Sequence, residues 1–278
     1  MSAITHDAAA VGSTRPGLGV GRLVAHTTSL TKRSVIGRLR QPAALAPSFI
    51  FPLFFAALGA ASFSRIADRP DFQAIAPSFL NYNAAGAILQ GVLFAAVSAS
   101  GDLATDIEQG FFERLLASPV SRTSIILGRL GSAMVVAMVQ VVVFLAIFMV
   151  FGARIETGVV GFLGLLVGGA LLALAMAGLM SGVAVRSGSP EVVQGSFPLV
   201  FALMFLSSAF FPRIYMTGWY RTVADWNPMS HIVEGMQSFM NEPLALDQFL
   251  RAWVIPLIVA AAGIMFALRA LSTRLRAL

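Results

Sequence analysis

Long apolar stretches without charge are the feature that most limits what this chain can fold into. A helix needs roughly 20 apolar residues to cross about 30 Å of hydrocarbon, and six stretches reach that length. Only 12% of the residues are charged, whereas a soluble domain carries about 25%. The sequence therefore predicts an all-α, polytopic membrane protein with six transmembrane helices. The predicted spans are 43–63, 78–100, 130–152, 158–185, 192–211 and 252–270.

The residues before the first span divide into two predicted segments. Residues 1–21 form a predicted flexible tail, and no apolar core followed by small residues marks a cleavable signal there. In 22–40, Leu, Val and Ile alternate with Arg and Lys, which suits an amphipathic helix lying in the headgroup layer. Pro42 then separates this interfacial helix from one transmembrane domain predicted over 41–275.

The basic residues predict the orientation. Six spans place both termini on one side, and thirteen of the 19 Lys and Arg residues fall on that side. Because basic loops stay in the cytoplasm, both termini and the loop between the second and third spans are predicted to be cytoplasmic. Lys32 is the only lysine among these 19 residues, a usage typical of a GC-rich bacterial genome. We therefore expect a multi-pass protein of the bacterial cell membrane, with membrane lipids and not nucleic acid facing its basic loops.

Several classes of activity are disfavoured by what the sequence does not contain. No charged residue falls in the core of a predicted span, although an ion-coupled carrier normally keeps one at membrane depth. The sequence has no phosphate-binding G-x-x-x-x-G-K-[ST] loop, since Lys32 follows Thr31. There is no cysteine, and His231 is the only histidine beyond position 26, so a histidine triad or zinc-protease site cannot be assembled. We expect no cofactor and no catalytic site in this chain, and any energy for transport must come from another polypeptide.

A polar insert, 102–122, interrupts the apolar chain between the second and third predicted spans. Its apolar side chains recur four residues apart, which predicts one amphipathic helix. Asp102 and Asp106 would lie near the start of that helix, where carboxylates favour the helix dipole, and the helix would end before Pro119. Two interpretations stay open: a loop helix resting on the membrane, and a helix that a partner moves. The predicted apolar face consists of Leu103, Ile107, Phe111 and Leu115, joined by Phe112 and Leu116.

Neutral polar and small residues in the spans have two interpretations each. Gln90, Ser98 and Gln140 could line a substrate pathway, or they could form hydrogen bonds between helices. Pairs of small residues four apart allow helix backbones to approach closely, either at a subunit interface or inside one bundle. The pairs are Ala87 and Gly91, Gly164 and Gly168, and Gly178 and Gly182.

The loop 212–248 is long and rich in aromatic residues. Asn227 is a favourable N-cap, and Pro228 suits the first position of a helix. One interpretation is a surface helix that anchors the edge of the bilayer, where aromatic side chains with polar edges collect. The aromatic candidates are Trp219, Tyr220 and Trp226, and the predicted apolar stripe after Pro228 is Ile232, Val233, Met236, Phe239 and Met240.

At two places the chain resembles a known family. The insert reads Glu108-x-Gly110-x-x-Glu113-x-Leu115-Leu116-x-x-Pro119-Val120-x-Arg122, with Gly128-Arg129 opening the third span. This pattern resembles the signature loop of the ABC-2 type permeases, the membrane subunits of ATP-binding-cassette exporters. Asn227-Pro228-Met229-Ser230 resembles the family's motif between the fifth and sixth spans. Over about residues 25–275 the chain is most similar to the daunorubicin/doxorubicin-resistance type of drug and lipid exporter permease.

The resemblance implies partners and roles for residues. In such permeases the loop is a coupling helix that docks on a separate ATPase subunit, which binds ATP and Mg, and the N-terminal helix makes a second contact. Two permeases, identical or sister chains, complete the exporter. The segment with Trp219, Tyr220, Trp226, Asn227 and Pro228 would form short re-entrant helices that close the outer end. The implied coupling residues are Asp106, Glu108, Gly110, Glu113, Leu115, Leu116, Pro119 and Arg122.

The predicted function is therefore outward transport of a hydrophobic or amphipathic drug or lipid, driven by ATP that a separate subunit hydrolyses. An ABC-2 permease for a polysaccharide or glycolipid is the nearest competing function, and stacking Tyr and Trp side chains would be expected in its channel. Two more distant classes stay open, namely an ion-coupled secondary transporter and a membrane enzyme or scaffold that transports nothing.

Overall fold

A computed structural model describes residues 20–117, 121–243 and 245–277, and the regular elements in those residues are all helices. A π-helical stretch, Leu250–Val254, joins the last two. The helices are α1 (Val20–Leu39), α2 (Pro42–Ser62), α3 (Pro70–Gln73), α4 (Phe79–Glu108), α5 (Phe111–Ala117), α6 (Arg122–Val150), α7 (Gly158–Ser187), α8 (Pro190–Gly195), α9 (Phe197–Phe205), α10 (Gly218–Trp226), α11 (Pro228–Asn241), α12 (Leu246–Phe249) and α13 (Ile255–Ala277).

Five stretches are long and apolar enough to cross a membrane: α2, α4, α6 from Thr123 onwards, α7, and Leu246–Arg276. They coincide with the first four predicted spans and the sixth. The fifth predicted span, 192–211, differs, because the apolar helical stretch there, Pro190–Phe205, is shorter than the other five. It is interrupted at Ser196, and Pro198, in the first turn of α9, has no N–H to continue the hydrogen bonding of α8.

The segment 188–211 nevertheless runs along the whole of α4. At one end, a Cβ built on Gly188 would lie 3.3 Å from Ile107, near the end of α4. At the other end, the hydroxyl of Tyr82, in the first turn of α4, donates to the carbonyl of Ser208. The segment is therefore antiparallel to α4 over the length of that helix.

Helix α4 is the centre of the bundle. In the most apolar 18-residue stretch of α4, 83% of the residues are buried, whereas only 17% are buried in the corresponding stretch of α2. Small residues provide much of the packing around it and its neighbours: a Cβ on Gly91 would meet the ring of Phe144 in α6, and one on Gly178 would lie 3.2 Å from the backbone of Gly263 in α13. Gly164 and Gly168 face α11, and Gly182 faces Phe266. The small pairs thus pack inside this chain, which is the second of the two interpretations above.

The prediction of a single helix across the polar insert was wrong. Helix α4 continues to Glu108, a turn follows at Gln109 and Gly110, and α5 begins at Phe111. Gly110 has a φ of 67°, a left-handed conformation that side chains with a Cβ disfavour. Asp102 and Asp106 therefore lie in the last turns of α4 and not at the start of a helix, so the predicted benefit from the helix dipole is also wrong.

The N-terminal and outer helices follow the sequence more closely. Residues 20–39 form one helix, as expected for most of 22–40, while its position in a bilayer stays a prediction. Asn227 is the N-cap of α11, where its side chain accepts a hydrogen bond from the N–H of Met229, and Pro228 is the first residue of the helix. The predicted apolar stripe of α11 is buried, since Phe239 packs against Gly164 and Met236 against Gly168 of α7.

Candidate functional site

Four helices meet at the end of the bundle that carries the polar insert: α1, the end of α4, α5 and the start of α6. Helix α1 packs directly on α6, because glycines there leave room for its backbone. A Cβ on Gly128 would lie 2.6 Å from the Cβ of Leu30, and one on Gly131 would lie 2.6 Å from Oγ1 of Thr31. Thr31 also donates to the carbonyl of Gly128 at 3.2 Å. The first turns of α6 thus provide the surface on which α1 packs.

Two arginine–aspartate pairs connect this assembly to α4. Nη2 of Arg38, in α1, lies 3.0 Å from Oδ2 of Asp102, and Arg129, in α6, pairs with Asp106. Carboxylates near the C-terminus of a helix are disfavoured by its dipole, and the two guanidinium groups offset that cost. Burial lowers the pKa of Arg38, while the neighbouring Asp102 opposes the shift. The end of α4 is therefore tied to both α1 and α6.

Helix α5 contributes an aromatic ring held between cations. The guanidinium carbons of Arg33 and Arg114 lie 5.6 and 5.7 Å from the ring centroid of Phe111, within the range of a cation–π contact. The adjacent Phe112 is buried. Helix α5 is thus anchored through one buried ring, while its other ring contacts α1. We call the assembly of α1, the end of α4, α5 and the start of α6 the joint.

The structure brings some of the implied coupling residues together. Asp106 is paired with Arg129, Glu108 is exposed at the end of α4, Gly110 makes the turn, and Leu115 is half-buried in α5. The structure does not describe the side chains of three further implied residues, Glu113, Leu116 and Arg122. Pro119 lies outside the described residues.

The three polar residues predicted for a pathway have different surroundings. Gln140 is buried, and its amide nitrogen donates to Oγ of Ser48 at 2.9 Å and to the carbonyl of Gly91 at 3.3 Å. It therefore holds α2, α4 and α6 together, as expected of a hydrogen bond between helices. Gln90 is also buried, but its amide nitrogen has no hydrogen-bond partner among the residues that the structure describes. Ser98 lines a cavity of about 390 Å³ between α2, α4 and α8.

A continuous series of phenylalanine rings follows α9. Phe94 of α4 contacts Phe51 of α2 and Phe197, with ring centroids 5.4 and 4.9 Å apart. The rings continue in contact through Phe201, Phe205 and Phe210, with Phe55 at the side. These residues were not predicted from the sequence, although the four-residue spacing of 197, 201 and 205 was a visible signal. We call this series the phenylalanine ladder.

The opposite end of the bundle is held by a charged cluster that was not predicted from the sequence. Arg213 pairs with Glu234 of α11 and, at 3.0 Å, with Asp225 of α10. Glu234 raises the pKa of Arg213. Arg251 is 3.1 Å from Asp247 and 3.9 Å from Glu234. One half-buried glutamate thus connects the segment before α10 with the start of the last spanning stretch.

The predicted outer residues surround that cluster. The side chains of Trp219 and Trp226 are largely exposed, at 72% and 84%. Tyr220 donates to the carbonyl of Phe205 at 2.8 Å, and Asn227 donates to that of Leu203 at 2.7 Å. Tyr220 and Asn227 therefore tie α10 and α11 to the end of α9, whereas no hydrogen bond within the described residues joins either tryptophan to α9.

Known proteins resemble this chain in sequence. The family model described as "ABC-2 type transporter" matches residues 25–241. The chain is 25% identical over 164 residues to the "Daunorubicin resistance ABC transporter permease protein DrrB1" of Streptomyces coeruleorubidus, covering 59% of this chain and 58% of that one. It is 30% identical over 223 residues to the "Putative transport permease ycf38" of Pyropia yezoensis, covering 77% and 73%.

A further relative is the "Probable doxorubicin resistance ABC transporter permease protein DrrC" of Mycobacterium tuberculosis, which is 26% identical over 156 residues, covering 56% of this chain and 55% of the relative. The matches thus span a little over half the length of the two relatives named for drug resistance.

Proposed function

Because the chain belongs to the ABC-2 type transporter family, we propose that it is the membrane-spanning subunit of an ATP-binding-cassette exporter, driven by a separate ATPase subunit. The observation that carries the proposal is the joint. It presents exposed Glu108 and helix α5 at one end of the bundle, and its ion pairs connect the end of α4 to α1 through Asp102 and to α6 through Asp106. A partner that pushes on α5 or α1 would therefore move α4 and α6.

The proposed topology has six crossings. Five are the long apolar helices, and the remaining one is the broken segment 188–211, which is supported by its antiparallel course along α4. An even number places both termini on the side of the joint, and the basic residues there favour the cytoplasm. We propose the bacterial cell membrane as its location, because the chain has one lysine among 19 basic residues, a usage typical of GC-rich bacteria.

In the proposed mechanism, ATP and Mg are bound by the partner ATPase, and closure of two ATPase subunits displaces the joint. Rigid helices tied by charged pairs transmit such a displacement as a rigid-body shift. At the other end, α10 and α11 would act as re-entrant helices that close the exit. The Arg213 cluster and the hydrogen bonds of Tyr220 and Asn227 to α9 support that role, since they hold both helices against the bundle.

The proposed substrate is a hydrophobic or amphipathic drug or lipid. Its support is the phenylalanine ladder, whose rings offer apolar contact without charge. Helices α2 and α9 carry exposed apolar side chains beside the ladder, including Ile50, Phe54 and Leu203. Faces of this kind mark contacts with lipid or with another protein, and we propose that a second permease, identical or a sister chain, covers part of them.

Copurification tests the proposal. The tagged permease is coexpressed with its neighbouring reading frames, one of which is expected to encode a soluble ATPase. We expect the two to form a complex whose ATP hydrolysis exceeds that of the ATPase alone. Glu108→Arg is expected to reduce that stimulation several-fold, whereas the control Glu156→Arg, exposed after α6 at the other end of the bundle, leaves it unchanged. Absence of any complex would refute the assignment.

Labelling of single cysteines tests the topology separately. The chain contains no cysteine, so each introduced thiol is the only one. With six crossings, a membrane-impermeant reagent labels Asp68→Cys in intact cells and labels Glu108→Cys and Ser272→Cys only after permeabilisation. Labelling of Ser272→Cys in intact cells would show that 188–211 does not cross.

A further inference from the structure

We propose that a cavity inside the joint binds the phosphate-bearing headgroup of an anionic phospholipid. The cavity has a volume of about 610 Å³, within the range of about 300–1,000 Å³ that is typical of small-molecule sites. Helices α1, α4, α5, α6 and α7 all contribute to its wall. The inference goes beyond the proposed export function and does not require it.

The charges of the wall favour an anion. Four arginines and two aspartates line the cavity. Both aspartates are already paired, with Arg38 and Arg129. Arg33 and Arg114 carry no ion pair among the described residues, although they converge on the same ring of Phe111 from two different helices. Two cations held together and not paired with a described carboxylate form a site for an anionic group, and guanidinium groups bind phosphate through charge-assisted hydrogen bonds.

The depth of the cavity favours a lipid over an acidic side chain of a soluble subunit. Its lining extends from Arg33 and Arg114, which are exposed, to Ala99 of α4 and to Ala177 and Ser181 of α7. Ala177 lies about 15 Å along α7 from the end of that helix. Apolar and polar side chains share the wall, with Leu30, Ile125 and Leu115 on the apolar part. With a phosphate at the two arginines, these apolar side chains would contact the start of an acyl chain, and the rest of that chain would lie outside the cavity.

Native mass spectrometry of the purified full-length permease in a neutral detergent tests the inference. Dioleoyl phosphatidylglycerol and dioleoyl phosphatidylcholine are added in separate titrations, and the bound lipid is counted. We expect the parent protein to retain one phosphatidylglycerol at concentrations where phosphatidylcholine is lost. The double variant Arg33→Gln/Arg114→Gln is expected to lower the apparent affinity for phosphatidylglycerol about tenfold or more, because it removes two charge-assisted contacts.

A matched double variant controls for total charge. Lys32→Gln/Arg186→Gln removes the same number of positive charges from exposed positions that do not line the cavity, and it should bind lipid as the parent does. Equal weakening in the two double variants would overturn the site, as would equal binding of the two lipids by the parent. Full displacement of the lipid by millimolar inorganic phosphate would overturn the lipid assignment in favour of a free ion. The measurement uses the permease alone, so its failure is independent of any ATPase partner.

Discussion

The guanidinium of Arg38 lies 3.0 Å from the carboxylate of Asp102, and this contact joins the N-terminal helix to the end of α4. Exchange of the two charges tests the contact. Arg38→Asp and Asp102→Arg alone each place like charges side by side and should lower thermal stability and ATPase stimulation. The combined exchange should recover about 1 kcal/mol of the free energy of unfolding, which is the usual contribution of a partly exposed ion pair. A purely additive loss in the thermal unfolding of the double variant would show that the pair does not interact.

The turn at Gly110 sets the direction of α5. Its φ of 67° makes Gly110→Ala unfavourable by roughly 1 kcal/mol, so we expect α5 to shift and the partner ATPase to lose stimulation. Gly101→Ala is the matched control, because Gly101 is helical and an added Cβ would meet nothing within 4 Å beyond its own turn of helix. The assay is ATP hydrolysis of the reconstituted complex. Equal ATP hydrolysis by both variants would show that coupling does not depend on the conformation of the turn.

The packing of α1 on α6 predicts a disulfide. The Cβ of Thr31 lies 3.6 Å from the position of a Cβ on Gly131, within the range of about 3.5–4.5 Å that disulfides require. Thr31→Cys/Gly131→Cys should therefore cross-link under mild oxidation in membranes. The cross-link is read as a change in fragment pattern after cleavage between the two sites. Ser29→Cys/Gly131→Cys, with the exposed Ser29 on another face of α1, should not form it, and equal cross-linking of both pairs would contradict the docking.

Arg213 is expected to stabilise the outer end. It contacts both Glu234 and Asp225, and its side chain is only 19% exposed. Arg213→Gln should therefore lower the free energy of unfolding by about 2 kcal/mol, since the half-buried Glu234 would lose its closest positive charge. Arg221→Gln, which removes an exposed contact to Asp225 at 3.9 Å, should cost less than about 0.5 kcal/mol. Thermal unfolding in detergent compares the two, and equal losses would contradict the central position of Arg213.

Local features of the fold could be read from the sequence. Five spans follow from apolar length alone, because each helix satisfies its own backbone in the membrane. The cap at Asn227 and the first position at Pro228 depend only on neighbouring residues. Hydropathy could not detect the break at Ser196, because small and apolar residues on both sides keep the stretch free of charge.

Features that depend on distant partners could not be read. The spacing of Ile107, Phe111 and Leu115 continues through Gly110 as if one helix were present, so the turn was missed. The partner of Asp102 is 64 residues away, and that of Asp106 is 23 residues away. Nothing in the local pattern selects these arginines from the others. The charges of the insert were therefore recognised, but not the two connections that make it part of a joint.

The central claim is that ATP hydrolysed by a separate subunit drives transport through the joint. Its most direct test is uptake of a fluorescent anthracycline or a fluorescent phospholipid into inverted vesicles containing the permease and its ATPase. The account predicts uptake that requires ATP and the ATPase, survives a proton ionophore, is lost in Asp106→Arg and returns in Asp106→Arg/Arg129→Asp. Uptake that continues without the ATPase and collapses with the ionophore would contradict it.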